Sequence, residues 1–229
     1  MKIAVLTSIV GLDSISIREP VYKNADYFLF TDLDVTFNGW ITKKLYSSSW
    51  DDKYMSRRAA KIPKIIPHYL LPEYDFYIWH DYIHQLNYDP EKLVQESLKE
   101  HDFAFFKHPE RNSWLSELNI IYQYQIDHAN LLEEQFKFYQ NIGLPEFGNF
   151  FECAIFLRKN NTISNKVCNL WYEQINKFSS RDQISLPYAL HKNPDIKLNT
   201  LNGSCHIHNG GNSYFVQTQA PLRHLGKVN

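Results

Sequence analysis

Short apolar segments alternate with longer segments of helical patterning along this chain, and this alternation limits the possible folds more than any other feature. The apolar segments are rich in β-branched and aromatic residues, which is typical of buried strands; they are residues 2–10, 25–31, 75–79, 102–106 and 152–158. Helical segments lie between and after them, at residues 57–71, 89–99, 113–139 and 164–177 and from Ser180 onward. The pattern predicts an α/β fold with a mostly parallel central sheet and helices on both faces.

Local signals refine this prediction. Pro63 and Pro67 predict breaks that divide the first helical segment into two stretches. The pair Asp89-Pro90 predicts a helix start, because an aspartate cap and a proline at the first position both favour one. Residues 113–139 suit either one long helix or two. Residues 38–56 are aromatic and rich in serine, and predict an irregular loop over a ligand site.

Size, composition and charge limit the class of protein. The 229 residues contain 44% hydrophobic and 15% aromatic side chains, which suits one packed domain and excludes a disordered chain. No linker or repeat interrupts the sequence, so we expect a single domain over residues 1–229. The 24 basic and 25 acidic residues give a net charge of −1, without the basic excess typical of nucleic-acid-binding proteins. We therefore expect no nucleic-acid partner.

The first segment and the cysteines indicate the compartment. The apolar start of the chain soon reaches Gly11 and Asp13, which makes it too short for the core of a signal peptide or for a membrane span. Cys153, Cys168 and Cys205 lack the spacing of a metal knuckle, and an odd, low count is typical of a reducing compartment. These features predict a cytoplasmic protein with no membrane span.

Asp81 is the strongest local candidate for a metal ligand. It follows an apolar strand ending in Trp79 and His80, so the strand delivers a carboxylate to the edge of the sheet, where ligands of α/β sheets bind. A hard divalent cation there prefers oxygen ligands, and it can neutralise the charge that builds on a departing nucleoside diphosphate. The alternative is a carboxylate that only caps the next turn.

A second pair of carboxylates, Asp32 and Asp34, also follows a strand and competes for the metal role. It comes after the second strand, where a nucleotide base or ribose is more naturally bound. We therefore expect Asp32, together with Thr7 of the first strand, near the base or ribose of a nucleotide.

Histidines in the tail and basic residues before the third strand are further candidates. In an extended segment, the imidazoles of His206 and His208 would face the same side, and one of them could complete the shell of a metal bound at Asp81; ordinary strands also carry such pairs. The basic cluster could hold a diphosphate through charge-assisted hydrogen bonds, or could be a solvated helix face; it consists of Arg57, Arg58, Lys61 and Lys64.

Asp182 lies in the first turn predicted after Ser180, between Arg181 and Gln183. The helix macrodipole at this position favours the ionised carboxylate. Such a group could accept the proton of an acceptor hydroxyl or bind the hydroxyls of a sugar. The alternative is an ordinary N-terminal charge that stabilises the helix alone.

Taken in order, these segments resemble the glycosyltransferase-like family that includes the plant TOD and MUCI proteins. The resemblance covers roughly residues 55–190, and its specificity comes from the order and spacing of short motifs. These are PK-x-x-PH-x-x-LP at 63–72, IW-x-D at 78–81, H-x-x-R at 108–111, E-C-x-x-x-x-R at 152–158, W-x-x-x-I at 171–175 and SRDQIS at 180–185. The N-terminal strand also resembles that of an algal-virus capsid glycosyltransferase of GT-A type.

The resemblance implies a GT-A-like glycosyltransferase that uses a UDP-linked nucleotide-sugar donor and a Mn²⁺ or Mg²⁺ ion. It implies a glycan or glycoprotein acceptor. It places Asp81 in the metal region, either alone, with His80 or with a tail histidine, and makes Asp182 the first choice for the catalytic carboxylate. It also implies a group of substrate or acceptor contacts, namely His108, Arg111, Glu152, Arg158, Arg181 and Gln183.

Our hypothesis is that residues 1–100 form the nucleotide-binding half and residues 101–229 the acceptor and catalytic half, with Arg58, Lys61 and Lys64 on the diphosphate. Two features are expected to differ from the family: Tyr82 stands where a small residue usually follows the aspartate, and we expect no membrane anchor like that of the plant relatives, which suggests a bacterium or a virus-infected host cell. An alternative is a catalytically inactive carbohydrate- or nucleotide-sugar-binding module on the same fold. A nucleotidyltransferase is disfavoured, because residues 9–12 lack a glycine-rich basic loop.

Overall fold

A computed structural model describes residues 1–45 and 53–219 of the chain. The strands are β1 (Ile3–Ile9), β2 (Asp26–Thr31), β3 (Ile41–Lys44), β4 (Phe76–His80), β5 (His84–Leu86), β6 (Phe103–Lys107), β7 (Phe151–Lys159), β8 (Leu198–Leu201) and β9 (Phe215–Gln217). The helices are α1 (Lys53–Ile65), α2 (Pro90–Leu98), α3 (Trp114–Gln123), α4 (Ala129–Asn141), α5 (Thr162–Lys177) and α6 (Asp182–His191), with 3₁₀ turns at Pro67–Tyr69 and Ile207–Asn209.

The central sheet has seven strands in the order β3-β2-β1-β4-β7-β6-β8. Neighbouring strands run parallel except around β7, which is antiparallel to both β4 and β6. The strands β5 and β9 form a separate antiparallel pair. The prediction of a mostly parallel sheet is therefore confirmed. The sheet combines strands from both predicted halves, since β4 of the first half pairs with β7 of the second.

Alternating side chains of each strand supply two separate cores, one on each face of the sheet. On one face, residues such as Val5 and Ile78 pack with Leu93 and Leu98 of α2. On the other face, residues such as Leu6 pack with Trp171 of α5 and with side chains of α1 and α6. The predicted helices on both faces are thus confirmed.

The helices differ from the predictions at Pro63 and at the cap of α6, whereas residues 113–139 adopt one of the two predicted alternatives. Residues 53–65 form one helix, because Pro63 lies only two residues from its end and interrupts few backbone hydrogen bonds. Residues 113–139 form two helices, separated near Gln125, whose φ of 50° ends the helical geometry. The cap of α6 is Arg181 rather than Ser180. The cap at Asp89 is confirmed, since its carboxylate accepts a hydrogen bond from the Lys92 amide.

The segment 38–56, which we expected to be an irregular loop, contains strand β3 and the start of α1. Its residues 46–52 lie outside the described part of the chain. Within residues 1–45 and 53–219, no helix has the length and apolar character needed to cross a lipid bilayer.

Candidate active site

The candidate site lies at the edge of the sheet where the parallel strands end. Asp32 and Asp81 follow β2 and β4 at this edge, and His108 follows β6. Because β7 is antiparallel, its first residues lie here, and Glu152 is paired with Phe106 near the end of β6. The ligand-binding crevice of open α/β sheets is found at this same edge.

Arg158 lies at the opposite edge, where it pairs with Tyr77 near the start of β4. The family resemblance implied that Arg158 contacts the substrate or acceptor, but Arg158 lies at the edge of the sheet opposite Asp81 because β7 runs antiparallel to β4. The Arg158 side chain is fully buried, donates a 2.8 Å hydrogen bond to Asn165 and lies over the Tyr77 ring, 4.6 Å from its centroid. A guanidinium held in this way stabilises the sheet and is far from the candidate site.

Two carboxylates and two lysines form an ion network at the centre of the site. The ammonium nitrogen of Lys64 lies 2.6 Å from Asp182 Oδ2 and 3.1 Å from Asp81 Oδ1. Lys61 lies 2.9 Å from the same Asp182 oxygen. The indole nitrogen of Trp79 donates a 2.9 Å hydrogen bond to Asp81 Oδ1. Lys64 therefore links the carboxylate at the end of β4 to the carboxylate at the start of α6.

Exposure distinguishes the two carboxylates. The Asp182 side chain is 6% exposed, whereas the Asp81 side chain is 42% exposed. Asp81 Oδ1 accepts hydrogen bonds from Lys64 and Trp79, so the exposed carboxylate is anchored through one oxygen. Asp81 is thus accessible to a ligand, while Asp182 is enclosed by protein.

Burial and the neighbouring charges determine the ionisation of the network. Burial opposes the charged form of Asp182, but the ammonium groups of Lys61 and Lys64 outweigh it and hold the pKa well below its usual range. The same balance lowers the pKa of Asp81, through Lys64 and Lys61. Burial lowers the pKa of Lys61 to about 8, although Asp182 opposes this shift. Both carboxylates are therefore ionised at neutral pH.

The predicted diphosphate-binding residues all contact protein groups. Arg57 donates to the Ile126 carbonyl at 3.0 Å, and Arg58 donates to the carbonyls of Ile175 and Phe178 at the end of α5. Lys61 and Lys64 project from the next turn of α1 toward the carboxylates. In this structure α1 thus uses its cations to join α5 and the start of α6 to the sheet.

Asp127, which no sequence motif singled out, holds the segment that presents Asp182. Its Oδ2 accepts hydrogen bonds from the Ser179 hydroxyl and from both the amide and the hydroxyl of Ser180, at 2.7–2.9 Å. Gln135 accepts a further hydrogen bond from the Ser179 amide. An aspartate between two helices resembles an ordinary cap, so only the long-range contacts reveal its role.

Three predicted acceptor contacts come together around Glu117. Arg111 Nε lies 2.6 Å from Glu117 Oε2, and Arg181 NH2 lies 3.7 Å from Oε1. Gln183 Nε2 donates to the same carboxylate at 3.4 Å. The Glu117 side chain is only 2% exposed, while both arginines are about a quarter exposed. Glu117 therefore orients two cations that remain partly open to a ligand.

His108 and Glu152 support the loops at the end of the sheet. His108 Nδ1 accepts hydrogen bonds from the amides of Glu110 and Arg111 at 3.1 and 3.0 Å. Burial, with the charges of Arg111 and His206, lowers the pKa of His108 to about 4. The buried Glu152 carboxylate accepts hydrogen bonds from the Cys205 amide at 2.7 Å and from the Ser204 hydroxyl. Glu152 thus fixes the segment that carries the tail histidines.

The tail histidines lie together, but in a different conformation from the one we expected. His206 precedes the 3₁₀ turn that contains His208, so the segment is not extended. The turn closes because Gly210 has a φ of 95° and the Gly211 amide donates to the His206 carbonyl. The two imidazoles are stacked, with centroids 5.4 Å apart. The His206 ring also lies 5.7 Å from that of His84, a residue that our sequence analysis did not single out.

The remaining predicted residues lie along β1, β2 and β4. His80 is buried, and burial lowers its pKa to about 4. Thr7 is fully buried and its hydroxyl has no hydrogen-bond partner. Asp32 Oδ2 accepts from the Gly11 amide at 3.0 Å, while its Oδ1 is buried without a partner. Asp34 is exposed and paired with Lys44, which separates it from Asp32.

The donor set at Asp81 suits a divalent ion that is also held by a substrate. Across residues 1–45 and 53–219, no group of three or more His, Cys, Asp or Glu side chains is arranged to hold a metal. Mg²⁺ usually needs only one or two carboxylates, with water and substrate phosphates completing its shell. The Nδ1 of His206 is buried and has no hydrogen-bond partner among the described residues.

Comparison with known proteins gives a family and distant relatives. The model of the TOD1/MUCI70 glycosyltransferase-like domain matches residues 40–207. The probable hexosyltransferase MUCI70 of Arabidopsis thaliana is 31% identical over 140 residues, which are 56% of this chain and 24% of that protein. The alkaline ceramidase TOD1 of the same plant is 28% identical over 150 residues, 60% of this chain and 32% of that protein. The chain thus spans about a third or less of the length of these relatives.

Two solved structures are similar in outline. Mouse xyloside xylosyltransferase 1, in its apo form, has a TM-score of 0.49 at 10% identity, over 90% of this chain and 86% of that one. The apo bifunctional glycosyltransferase WbbM has the same score and identity, over 87% of this chain and 38% of that one. Similarities of this size support no conclusion about activity or substrate.

Proposed function

The chain belongs to the TOD1/MUCI70 glycosyltransferase-like family, and we propose that it transfers a hexosyl or deoxyhexosyl group from a UDP-linked donor to a glycan or glycoconjugate, with Mn²⁺ or Mg²⁺ as cofactor. Family membership supports glycosyl transfer as the reaction. The curated relatives have different names, one a hexosyltransferase and the other a ceramidase, so the site must support the finer proposal.

The observation that carries the proposal is the accessible, ionised carboxylate of Asp81 at the carboxyl edge of the sheet. It is 42% exposed and is anchored through Oδ1 by Lys64 and Trp79. The ion would be held by Asp81 and the donor phosphates, with His206 or His208 as a further ligand. A divalent ion bound there would neutralise the negative charge that develops on the departing diphosphate.

Asp182 serves in this proposal as a positioning residue. Its pKa is held well below the usual range by Lys61 and Lys64, so it is a weak proton acceptor, and general bases work best when their pKa lies near the working pH. It is also only 6% exposed. Through Lys64 it holds Asp81 in place, a role different from the acceptance of a proton or the contact with sugar hydroxyls that the sequence suggested.

The other predicted residues divide between the two substrates. Asp32, partly exposed beyond the end of β2, would contact the hydroxyls of a ribose or the edge of a base, while the fully buried Thr7 lies on the neighbouring strand β1. Arg111 and Arg181, oriented by Glu117 and partly exposed, would contact the donor sugar or its phosphates.

A thermal-shift panel of nucleoside diphosphates, with and without Mn²⁺, tests the donor site. A ligand that binds only the folded state stabilises it by about 2.7 kcal/mol when the ligand concentration is a hundred times the dissociation constant. This stabilisation raises the melting temperature. We expect UDP with Mn²⁺ to give a larger shift than either alone. The absence of a shift with every nucleoside diphosphate in the presence of Mn²⁺ or Mg²⁺ would refute the proposal.

The enclosure of Asp182 favours one alternative, an inactive module that binds nucleotide sugars without turnover. Hydrolysis of the donor distinguishes an active glycosyltransferase from an inactive binding module, because a glycosyltransferase with a bound donor slowly transfers the sugar to water. Release of UDP from a panel of UDP-sugars supports the enzyme. Binding of UDP with no release from any of these sugars supports the module.

A further inference from the structure

A groove of about 330 Å³ lies between α6, the segment that leads into β7 and the start of β8, and it has no role in the proposed donor binding. Its volume falls within the roughly 300–1,000 Å³ typical of small-molecule sites. Trp114, Leu144 and Phe150 give it buried apolar surface. We call it the α6 groove, and its lining consists of residues 112–114 and 144–150 with Pro187, Leu190, His191, Pro194, Ile196 and Leu198.

The near end of the α6 groove adjoins the cluster around Glu117. Asn112 of the lining directly follows Arg111, whose Nε lies 2.6 Å from Glu117 Oε2. On α6, Gln183 donates to the same carboxylate at 3.4 Å, and Pro187 of the lining comes four residues later, on the same face of the helix. The groove therefore begins beside the partly exposed arginines of the candidate site.

From there the groove leads away from the site along α6. Beyond Pro187 its lining continues with His191 at the end of the helix and then with Leu198. Because β8 runs parallel to β6, Leu198 at its start lies at the edge of the sheet opposite Asp81. Residues 183–191 of α6 span about 12 Å, which is longer than a single sugar ring. A ligand that reaches from the arginines to the far end of the groove is therefore a chain of sugars.

Phe147 gives the groove an exposed aromatic ring. Its side chain is 64% exposed, although the segment that carries it is fixed to the start of α3. The backbone of Phe147 pairs with that of Ser113, and the Trp114 indole donates a 3.0 Å hydrogen bond to the Pro145 carbonyl. A large ring on a fixed segment offers apolar surface to the face of a sugar and loses little conformational entropy on binding.

The polar groups of the lining suit hydroxyls better than phosphate. Asn112 and Asn149 are exposed, and each side-chain amide can both donate and accept hydrogen bonds. The described lining contains one carboxylate, that of Glu146, and one imidazole, that of His191, but no lysine or arginine. It therefore lacks the strong cationic partners that a phosphate prefers, and its mixed donors and acceptors match the hydroxyls of neutral sugars.

We infer that the α6 groove binds the part of an oligosaccharide acceptor that extends away from the reacting hydroxyl. Phe147 packs against the face of one sugar, and the amides of Asn112 and Asn149 bind sugar hydroxyls. The inference rests on the proposed glycosyl transfer and narrows the acceptor from any glycan or glycoconjugate to a chain of two or more neutral sugars. An exposed phenylalanine also suits contact with a second copy of the chain, an outcome that the experiments distinguish.

Binding of short oligosaccharides tests the groove without nucleotide or metal. The probes are cellotriose, maltotriose, xylotriose, mannotriose and galactotriose, each compared with the methyl glycoside of its own sugar in NMR titrations. We expect at least one trisaccharide to bind about tenfold more tightly than its methyl glycoside, equivalent to about 1.4 kcal/mol. Added salt should not weaken this binding, because neutral ligands form no ion pairs that salt can screen. The inference is overturned if no trisaccharide binds, or if trisaccharide and methyl glycoside bind equally well.

Phe147→Ala removes the exposed ring, and Tyr124→Ala is its matched control. Tyr124 is 66% exposed and lies outside the lining of the groove. Both variants should keep the melting temperature of the wild-type protein, since both rings are largely exposed. We expect Phe147→Ala to bind the trisaccharide about tenfold more weakly and Tyr124→Ala to bind it as the wild type does. Equal affinity in the two variants would overturn the inference.

Light scattering on the same proteins tests the alternative occupant. If the wild-type protein is a dimer that Phe147→Ala dissociates while trisaccharide binding is unchanged, the α6 groove is a contact between two copies and the inference is wrong.

Asn149→Leu tests the polar contact. The substitution keeps the approximate size of the side chain and removes its donor and its acceptor, so trisaccharide affinity should fall about fivefold. Asn119→Leu makes the same change at an exposed position of α3 outside the groove and should have no effect on binding. The same loss in both variants, or a loss in neither, would contradict a contact between Asn149 and the sugar.

The outcome is separable from that of the donor site. If UDP with Mn²⁺ stabilises the protein but trisaccharide binding does not depend on Phe147, the role of the groove is wrong and the proposed transfer stands. If a trisaccharide binds as described and no nucleotide binds, the groove is a carbohydrate site and the proposed transfer is wrong. If both bind, Phe147→Ala should raise KM for the trisaccharide acceptor about tenfold while KM for the donor stays unchanged.

Discussion

Lys64 and Asp182 form an ion pair inside the protein, with Nζ and Oδ2 2.6 Å apart and side-chain exposures of 2% and 6%. Removing one partner leaves a buried charge whose compensation is reduced, and this typically costs about 3–5 kcal/mol. We therefore expect Asp182→Asn to lower the free energy of unfolding by several kcal/mol in urea denaturation. Lys64→Met should do the same.

The double variant provides the control for this pair. The double variant Lys64→Met with Asp182→Asn contains neither the Lys64 ammonium nor the Asp182 carboxylate. Its free energy of unfolding should therefore fall by less than the sum of the losses in the two single variants. Additive losses would show that the two groups do not interact.

Asp81→Asn should affect the donor site more than stability. The Asp81 side chain is 42% exposed and its Oδ1 can be replaced by an amide oxygen, so we expect only a small fall in melting temperature. The extra thermal shift that Mn²⁺ gives with UDP should disappear, and transfer should fall about a hundredfold or more, equivalent to about 2.7 kcal/mol. Asp34→Asn removes the same charge at an exposed position and should preserve both. Equal effects of the two substitutions would contradict a metal role for Asp81.

Buried histidines make stability depend on pH. The pKa of His108 is lowered to about 4 by burial, Arg111 and His206, and that of His80 to about 4 by burial, compared with about 6.5 in the unfolded chain. Between pH 6.5 and about 4 the unfolded chain binds protons that the folded protein does not, so stability is fully present above pH 6.5 and falls as the pH decreases through this window.

His108→Asn should reduce that fall, because an asparagine does not titrate and its amide oxygen can still accept from the amides of Glu110 and Arg111. Thermal unfolding followed across the window measures the difference. At neutral pH the variant and the wild-type protein should have similar melting temperatures. An unchanged dependence on pH would show that His108 does not contribute.

Arg158→Met tests the conclusion that Arg158 is structural. The substitution leaves the Asn165 amide oxygen and His68 Nδ1 without their partner, which should lower the free energy of unfolding by about 1–3 kcal/mol. Because the residue lies at the opposite edge from Asp81, KM for donor and acceptor should stay unchanged when measured well below the melting temperature. A rise in KM for donor or acceptor without a loss of stability would contradict the structural role and indicate that Arg158 contributes to substrate binding.

The sequence predicted the layers of this fold well, since they depend on local patterns. Continuous apolar segments rich in β-branched and aromatic residues, and the Asp89-Pro90 start, are readable from neighbours along the chain. The direction of β7 was not readable, because its apolar residues are the same for either orientation. Without the direction of β7, the sequence could not show that Arg158 lies at the edge of the sheet opposite Asp81. Glu152, at the other end of the strand, does lie at the edge where the parallel strands end.

The site was predictable as a set of residues, but their relationships were not. Asp81 and Asp182 were both expected near the substrate, yet Lys64 joins them and only Asp81 is accessible. Arg58 was expected on a diphosphate and instead contacts the end of α5. Pairings of this kind connect residues far apart in sequence, so no local pattern reports them.

The antiparallel strand β7 reaches from one rim of the sheet to the other, with Arg158 near one end and Glu152 near the other. These two residues are six positions apart in an extended strand, which separates them by roughly 20 Å. Groups so far apart contribute independently to stability. Changes around Glu152 could therefore alter which molecules the protein recognises while the anchor at Arg158 continues to secure the scaffold, so that new specificities could be introduced at one rim without a loss of folding at the other.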